Sequence, residues 1–111
     1  MPLSRRSALF GFLSAPFAAL GFRAQAQTQN ILTIEMYEGG FHPPILEAEV
    51  GDTIQWINYD DANHQVMSDS RQFATPLLRR NESSLLELTV AGEFDYHCEL
   101  HPSMTGTLRI R

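Results

Sequence analysis

The sequence contains one cysteine, Cys98, and no lysine. A single cysteine excludes an intramolecular disulfide. A chain of 111 residues is one small domain, and so modest a core often needs a staple. With disulfides excluded, a metal is the staple that remains. There is no long apolar run either. The longest, Ala8 to Phe22, is interrupted by Pro16 and is short for a membrane span. Internal repeats, low-complexity tracts and any convincing helical period after residue 26 are also missing.

Arginine is therefore the only strong base, and it is unevenly placed. Three of the eight arginines, Arg5, Arg6 and Arg23, precede residue 27, whereas every acidic residue follows it. Residues 27–111 hold five arginines against thirteen acids, a formal charge of −8 with neutral histidines. That charge argues against nucleic acid as a partner, because phosphates would repel it. It permits a basic protein partner drawn in by long-range attraction, and it equally serves plain solubility.

The first 26 residues read as an export signal. Arg5-Arg6 gives a charged start, Ala8 to Phe22 the apolar stretch, and Ala24-Gln25-Ala26 a small-x-small cleavage site. Ser4-Arg5-Arg6-Ser7 partly resembles a twin-arginine signal, although Ala8 stands where an aromatic is usual. Cleavage near Ala26 predicts a periplasmic protein that meets the membrane only during export. An exported chain with one unpaired cysteine calls for a reason, and metal ligation supplies one.

Residues 31–111 read as an all-β domain. Apolar alternation predicts strands over 31–36, 45–50, 53–58, 85–90, 94–98 and 107–111, with a short segment opening at Phe41. His42-Pro43-Pro44 suits a sheet edge or bulge, and Gly51-Asp52 a turn. Leu86, Leu88 and Val90 are expected on one face, as are Phe94, Tyr96 and Cys98. Ala91-Gly92-Glu93 reads as a tight turn, and residues 59–82 as the least regular stretch. Short, regularly spaced strands imply a sandwich or a small barrel.

The chemistry is concentrated in Tyr96-His97-Cys98-Glu99-Leu100-His101-Pro102-Ser103-Met104. Cys98, His101 and Met104 put a thiolate, an imidazole and a thioether within seven residues, all soft or borderline donors that suit copper. Pro102 restricts the loop, and Gly106 is expected to let the backbone re-enter a strand. His64, after the polar loop 59–63, is the candidate second imidazole. Two imidazoles and a thiolate in a plane with a weak axial thioether make a blue-copper site. Singly, each residue has a plainer role: Cys98 as a small buried hydrophobe, Met104 as core filler, the histidines as surface groups. His97 should point to the face opposite Cys98 and be solvated, unless it meets a second metal at a subunit contact. His42 is expected to be exposed, and Met67 rivals Met104 as axial ligand, although the short loop favours Met104.

With these residues in view, the sequence resembles the cupredoxins, and within them the amicyanin and plastocyanin branch. Phe41-x-Pro43 and Val50-Gly51-Asp52-Thr53-Ile54-Gln55-Trp56-Ile57-Asn58 are similar to that family's early segment. Gly92 to Cys98 and on through Met104-Thr105-Gly106-Thr107-Leu108 is similar to its copper loop, with the short amicyanin-like gap between His101 and Met104. The resemblance implies a single-domain Greek-key β-sandwich. It also implies one type 1 copper ion held by His64, Cys98 and His101, with Met104 axial. Two positions depart from the family pattern. Gln65 stands where Asn is common, and Glu99 where Ser or Thr is common; in the family those residues bond to each other and tie the ligand loops. Gln65 and Glu99 either replace that tie or leave Glu99 solvated.

The function expected is transfer of single electrons, without catalysis, by a monomer that docks briefly on a donor and an acceptor. For the branch resembled, a dehydrogenase and a cytochrome are the implied partners. Copper carriage or storage uses the same ligands, but the chain lacks the Met- and His-rich surface that would favour it. An enzyme such as a copper nitrite reductase needs a second centre, and only His42 and His97 remain to build one. Zinc prefers Cys and His without a thioether, so Met104 argues against a zinc module.

Overall fold

The computed structural model describes residues 30–111. The export-signal reading of residues 1–26 lies outside the described residues. Eight strands follow in chain order: β1 (Ile31–Tyr37), β2 (Gly40–His42), β3 (Ile45–Ala48), β4 (Thr53–Asn58), β5 (Val66–Ser68), β6 (Ser83–Glu87), β7 (Gly92–Cys98) and β8 (Thr105–Ile110). The described residues contain no helix. They form two four-stranded sheets, β2-β1-β4-β6 and β3-β8-β7-β5, which pack as the expected Greek-key sandwich. The pairs β1–β4 and β3–β8 are parallel, and the other pairs antiparallel.

The core follows from period-two alternation. Ile34 and Met36 of β1, Ile54 and Trp56 of β4, Tyr96 and Cys98 of β7, and Leu108 and Ile110 of β8 all turn inward. Trp56 anchors the middle, edge-on to Tyr96 at 5.6 Å and stacked near Phe73 at 5.7 Å between ring centroids. Burial pushes the Tyr96 phenol up to about 12, so it stays protonated.

Three expectations need correction. The sixth strand ends at Glu87 and begins earlier than expected, at Ser83, so Val90 is exposed and not part of an inward row. The turn expected at residues 91–93 lies earlier, because Gly92 and Glu93 already pair with Ile110 and Arg109. The irregular stretch hides a strand: Val66–Ser68 pairs with β7, its shortness leaving too few residues to show a period.

Gly106 is needed for a different reason from the one expected. It sits opposite Tyr96 in the β7–β8 ladder, and a Cβ there would lie 2.8 Å from Tyr96 Cε1. The requirement is therefore close approach by an aromatic ring that the core cannot move. Gly106→Ala should cost about 1–3 kcal/mol of stability, as overpacking does. Denaturant unfolding tests this, and an unchanged midpoint would refute it.

Candidate metal centre

Two segments of the same sandwich end converge. β7 carries Cys98 inward, completely buried, and the chain then leaves the sheet in the loop 99–104. The β4–β5 connection brings His64 beside it; Val66 is Cys98's ladder partner, so His64 lies just beyond the paired residues. Cys98 Sγ is 3.5 Å from His64 Nδ1 and 3.7 Å from His101 Nδ1. The three donor atoms lie within 4.8 Å of one another. Two donors about 2.0–2.3 Å from one ion and about 120° apart would stand roughly 3.6 Å from each other, so these separations fit a single metal ion.

Met104 closes the loop. Cys98 N–H donates to Met104 O at 3.0 Å, and Met104 N–H donates to His101 O at 2.8 Å. Its side chain is buried, unlike the exposed Leu100, His101, Pro102 and Ser103. Met67, the rival thioether, pairs with His97 in the ladder, on the face of the sheet opposite Cys98. The donor set is a buried thiol, two imidazoles and an adjacent buried thioether, which is copper chemistry by softness.

His64 is fixed from behind. Its Nε2 donates to Asp60 Oδ2 at 2.8 Å, which leaves Nδ1 with its lone pair toward Cys98. Asp60 also accepts from the backbone N–H groups of Glu38, at 2.8 Å, and Gly39, at 3.2 Å. Burial alone would raise its pKa. The hydrogen bond from His64 and those two backbone donors outweigh burial and hold the carboxyl below its ordinary value. Asp60 thus ties the β1–β2 turn to a candidate ligand. Removing it in Asp60→Ala should weaken copper binding by about 10–100-fold. A chelator competition that found wild-type affinity would contradict this.

Behind Asp60 stands Asn58, fully buried at the end of β4. Its Nδ2 donates to Ala62 O at 2.9 Å and to Leu78 O at 3.0 Å, and its Oδ1 accepts from Asp60 N–H at 2.8 Å. These bonds fold the 59–63 loop into shape. Leu78 in turn exchanges two backbone bonds with His64, at 3.0 and 2.7 Å. The sequence reading missed both Asn58 and Asp60. Asn58 left a signal, a polar residue in the inward row of Ile54 and Trp56, which demands buried partners. Asp60 left none, because four residues' separation within a loop implies no contact.

Other expectations meet mixed outcomes. His97 does face away from Cys98, but it is not simply solvated: Nδ1 lies 2.7 Å from Asp69 Oδ1 and Nε2 2.8 Å from Glu99 Oε1, and the protonated ring donates to both. The bonds to Asp69 and then Glu99 raise its pKa. His42 is half-buried, its ring stacked on Tyr37 at 3.8 Å. Gln65 and Glu99 do not bond through their side chains. Gln65 Nε2 donates to Thr75 O at 3.1 Å, and the two loops are joined instead by Glu99 N–H to Gln65 O at 2.8 Å.

Comparison with known proteins agrees with this geometry. Residues 9–110 match the model of the cupredoxin-like domain family. Amicyanin of Paracoccus denitrificans is 28% identical over 119 residues, covering 91% of each chain. Among solved structures, the Cu(I) form of a single-residue amicyanin mutant is 28% identical, with a TM-score of 0.70, over 76% of this chain and 85% of that one. A copper-containing nitrite reductase of Thermus scotoductus is 31% identical with a TM-score of 0.68, over 72% of this chain and 22% of the enzyme. Cupredoxin homologues of the amicyanin kind bind one type 1 copper ion, and the cluster of His64, Cys98 and His101 can hold a metal. The chain belongs to the cupredoxin-like family, on its amicyanin branch.

Proposed function

We propose that this protein is an exported carrier of single electrons between redox proteins, with His64, Cys98 and His101 as the strong copper ligands and Met104 as the weak fourth. The observation that carries this reading is the convergence of two imidazole nitrogens on a fully buried cysteine sulfur. Copper held there would supply one-electron exchange between Cu(I) and Cu(II). The chain's own part is to keep the donors still. Cys98 is fixed in a paired strand, and His64 is clamped between the Leu78 backbone and Asp60. Burial of Cys98 and His64 keeps water from that side of the site.

His101 differs from the other two in being exposed, and Leu100 and Pro102 beside it are exposed as well. This apolar rim is the docking point for a donor and an acceptor in turn. A small interface favours quick release, which a carrier needs. The resemblance to amicyanins makes a dehydrogenase and a cytochrome the partners to try first. Residues 1–26 act as the export signal, residues 27–111 as the mature monomeric domain, and the periplasm as the site of action. The role is carriage without catalysis.

Electron self-exchange tests this function. Mixed Cu(I) and Cu(II) protein should show concentration-dependent broadening of the ligand histidine proton resonances. His101→Gly should slow the exchange and open the copper to external imidazole. Absence of exchange in the wild type, with ready loss of copper to an apoprotein, would instead mark a copper carrier.

A further inference from the structure

We infer that Glu99 is a positioning residue of the metal loop: its carboxylate, held by His97 and through it by Asp69, sets the direction in which the loop leaves β7. This role rests on the copper-site reading above and falls to a carboxylate outside the ligand set.

The loop 99–104 has little else to hold it. Leu100, His101, Pro102 and Ser103 are all exposed, so packing does not fix their course. Its backbone bonds are Met104 N–H to His101 O at 2.8 Å, a longer one from His101 N–H to Cys98 O at 3.3 Å, and at its far end, where Met104 is buried, Cys98 N–H to Met104 O at 3.0 Å. With its end fixed at Met104, the course of the exposed residues between depends on the direction in which the loop starts. Residue 99 is held there twice. Its backbone N–H donates to Gln65 O, and its side chain folds back along the outer face of β7 to His97. His97 is in turn fixed by Asp69, which follows β5 and whose own N–H donates to Asp95 O at 2.9 Å.

The three side chains form one chain of contacts across the outer face, with the His97 ring using both nitrogens. The His97 side chain is 24% exposed, and the carboxylates on either side of it, Glu99 at 37% and Asp69 at 61%, are exposed. An isolated surface ion pair contributes little to stability. A bonded row of three that ends on the residue next to Cys98 matters through geometry instead. It lets a carboxylate at position 99 orient the loop bearing His101 without any side-chain bond to Gln65.

Hydrogen exchange on the copper-free full-length protein reads this directly. In Glu99→Ala, the His101 and Met104 amides should exchange roughly tenfold faster while β1, β4 and β8 keep wild-type protection. Glu99→Gln, whose amide oxygen still accepts from His97, should restore most of the protection. Asp69→Ala, which removes the oxygen that holds the far side of the His97 ring, should shift the same two amides in the same direction. Copper(II) affinity, measured against a chelator, should fall about tenfold in Glu99→Ala. Unchanged exchange at His101 and Met104 would overturn the inference. So would faster exchange throughout the sandwich, which would mark a merely structural residue. A wild type that binds copper but passes no electrons would end the carrier reading and leave this result standing.

Discussion

Cys98→Ala should give a folded, colourless protein that holds copper at least about a hundredfold more weakly than the wild type. Losing a hydrogen-bonding neighbour of a ligand costs about 10–100-fold in metal affinity, and losing the thiolate itself must exceed that. The fold should survive because Cys98 is a small side chain within a paired strand, and its backbone bond to Met104 O does not depend on the sulfur. Absorption and chelator competition on the purified variant measure both quantities. A variant that kept an intense visible band would show that the sulfur is not a ligand. One that failed to fold would show that the thiol is needed for the core before any metal arrives.

Asn58→Ala should lower stability by about 2–3 kcal/mol, since Ala62 O and Asp60 N–H lose a partly buried partner and the buried Leu78 O keeps only its bond from His64 N–H. For a domain of this size that corresponds to roughly 10–20 °C in Tm. The same change frees the 59–63 loop, so the His64 signals should lose their single sharp environment in the copper-free protein. Asp60→Ala, by contrast, should weaken copper binding with a smaller loss of stability, because Asp60 is only partly buried. Thermal melts of both variants separate the two roles. An Asn58→Ala protein melting within a few degrees of the wild type would contradict this role for Asn58.

Strands were legible in the sequence where alternation ran for six or seven residues. Thr53–Asn58 was read to the residue, and the inward row of Phe94, Tyr96 and Cys98 held. β5 was not legible, because three residues carry no period and its place is fixed by pairing with a distant strand. Val90 was misplaced because an apolar residue just past a strand end continues the pattern on paper after the pairing has stopped. At the site, Cys98 and His101 were visible from spacing alone. His64 was named from its place after the polar loop 59–63, but its approach to Cys98 needed the fold, since thirty-three residues lie between them. The supporting contacts were hidden. Asp60, Thr75 and Asp69 meet their partners only after the loops close, and the outcome for Gln65 and Glu99 turned on which neighbours came within reach.

The most direct test of the central claim is the visible absorption and electron paramagnetic resonance spectrum of the copper-loaded protein. The expected result is an intense blue thiolate-to-copper band with narrow copper hyperfine splitting, both lost in Cys98→Ala. A pale protein with wide splitting, unchanged by that substitution, would contradict the claim and place the copper elsewhere.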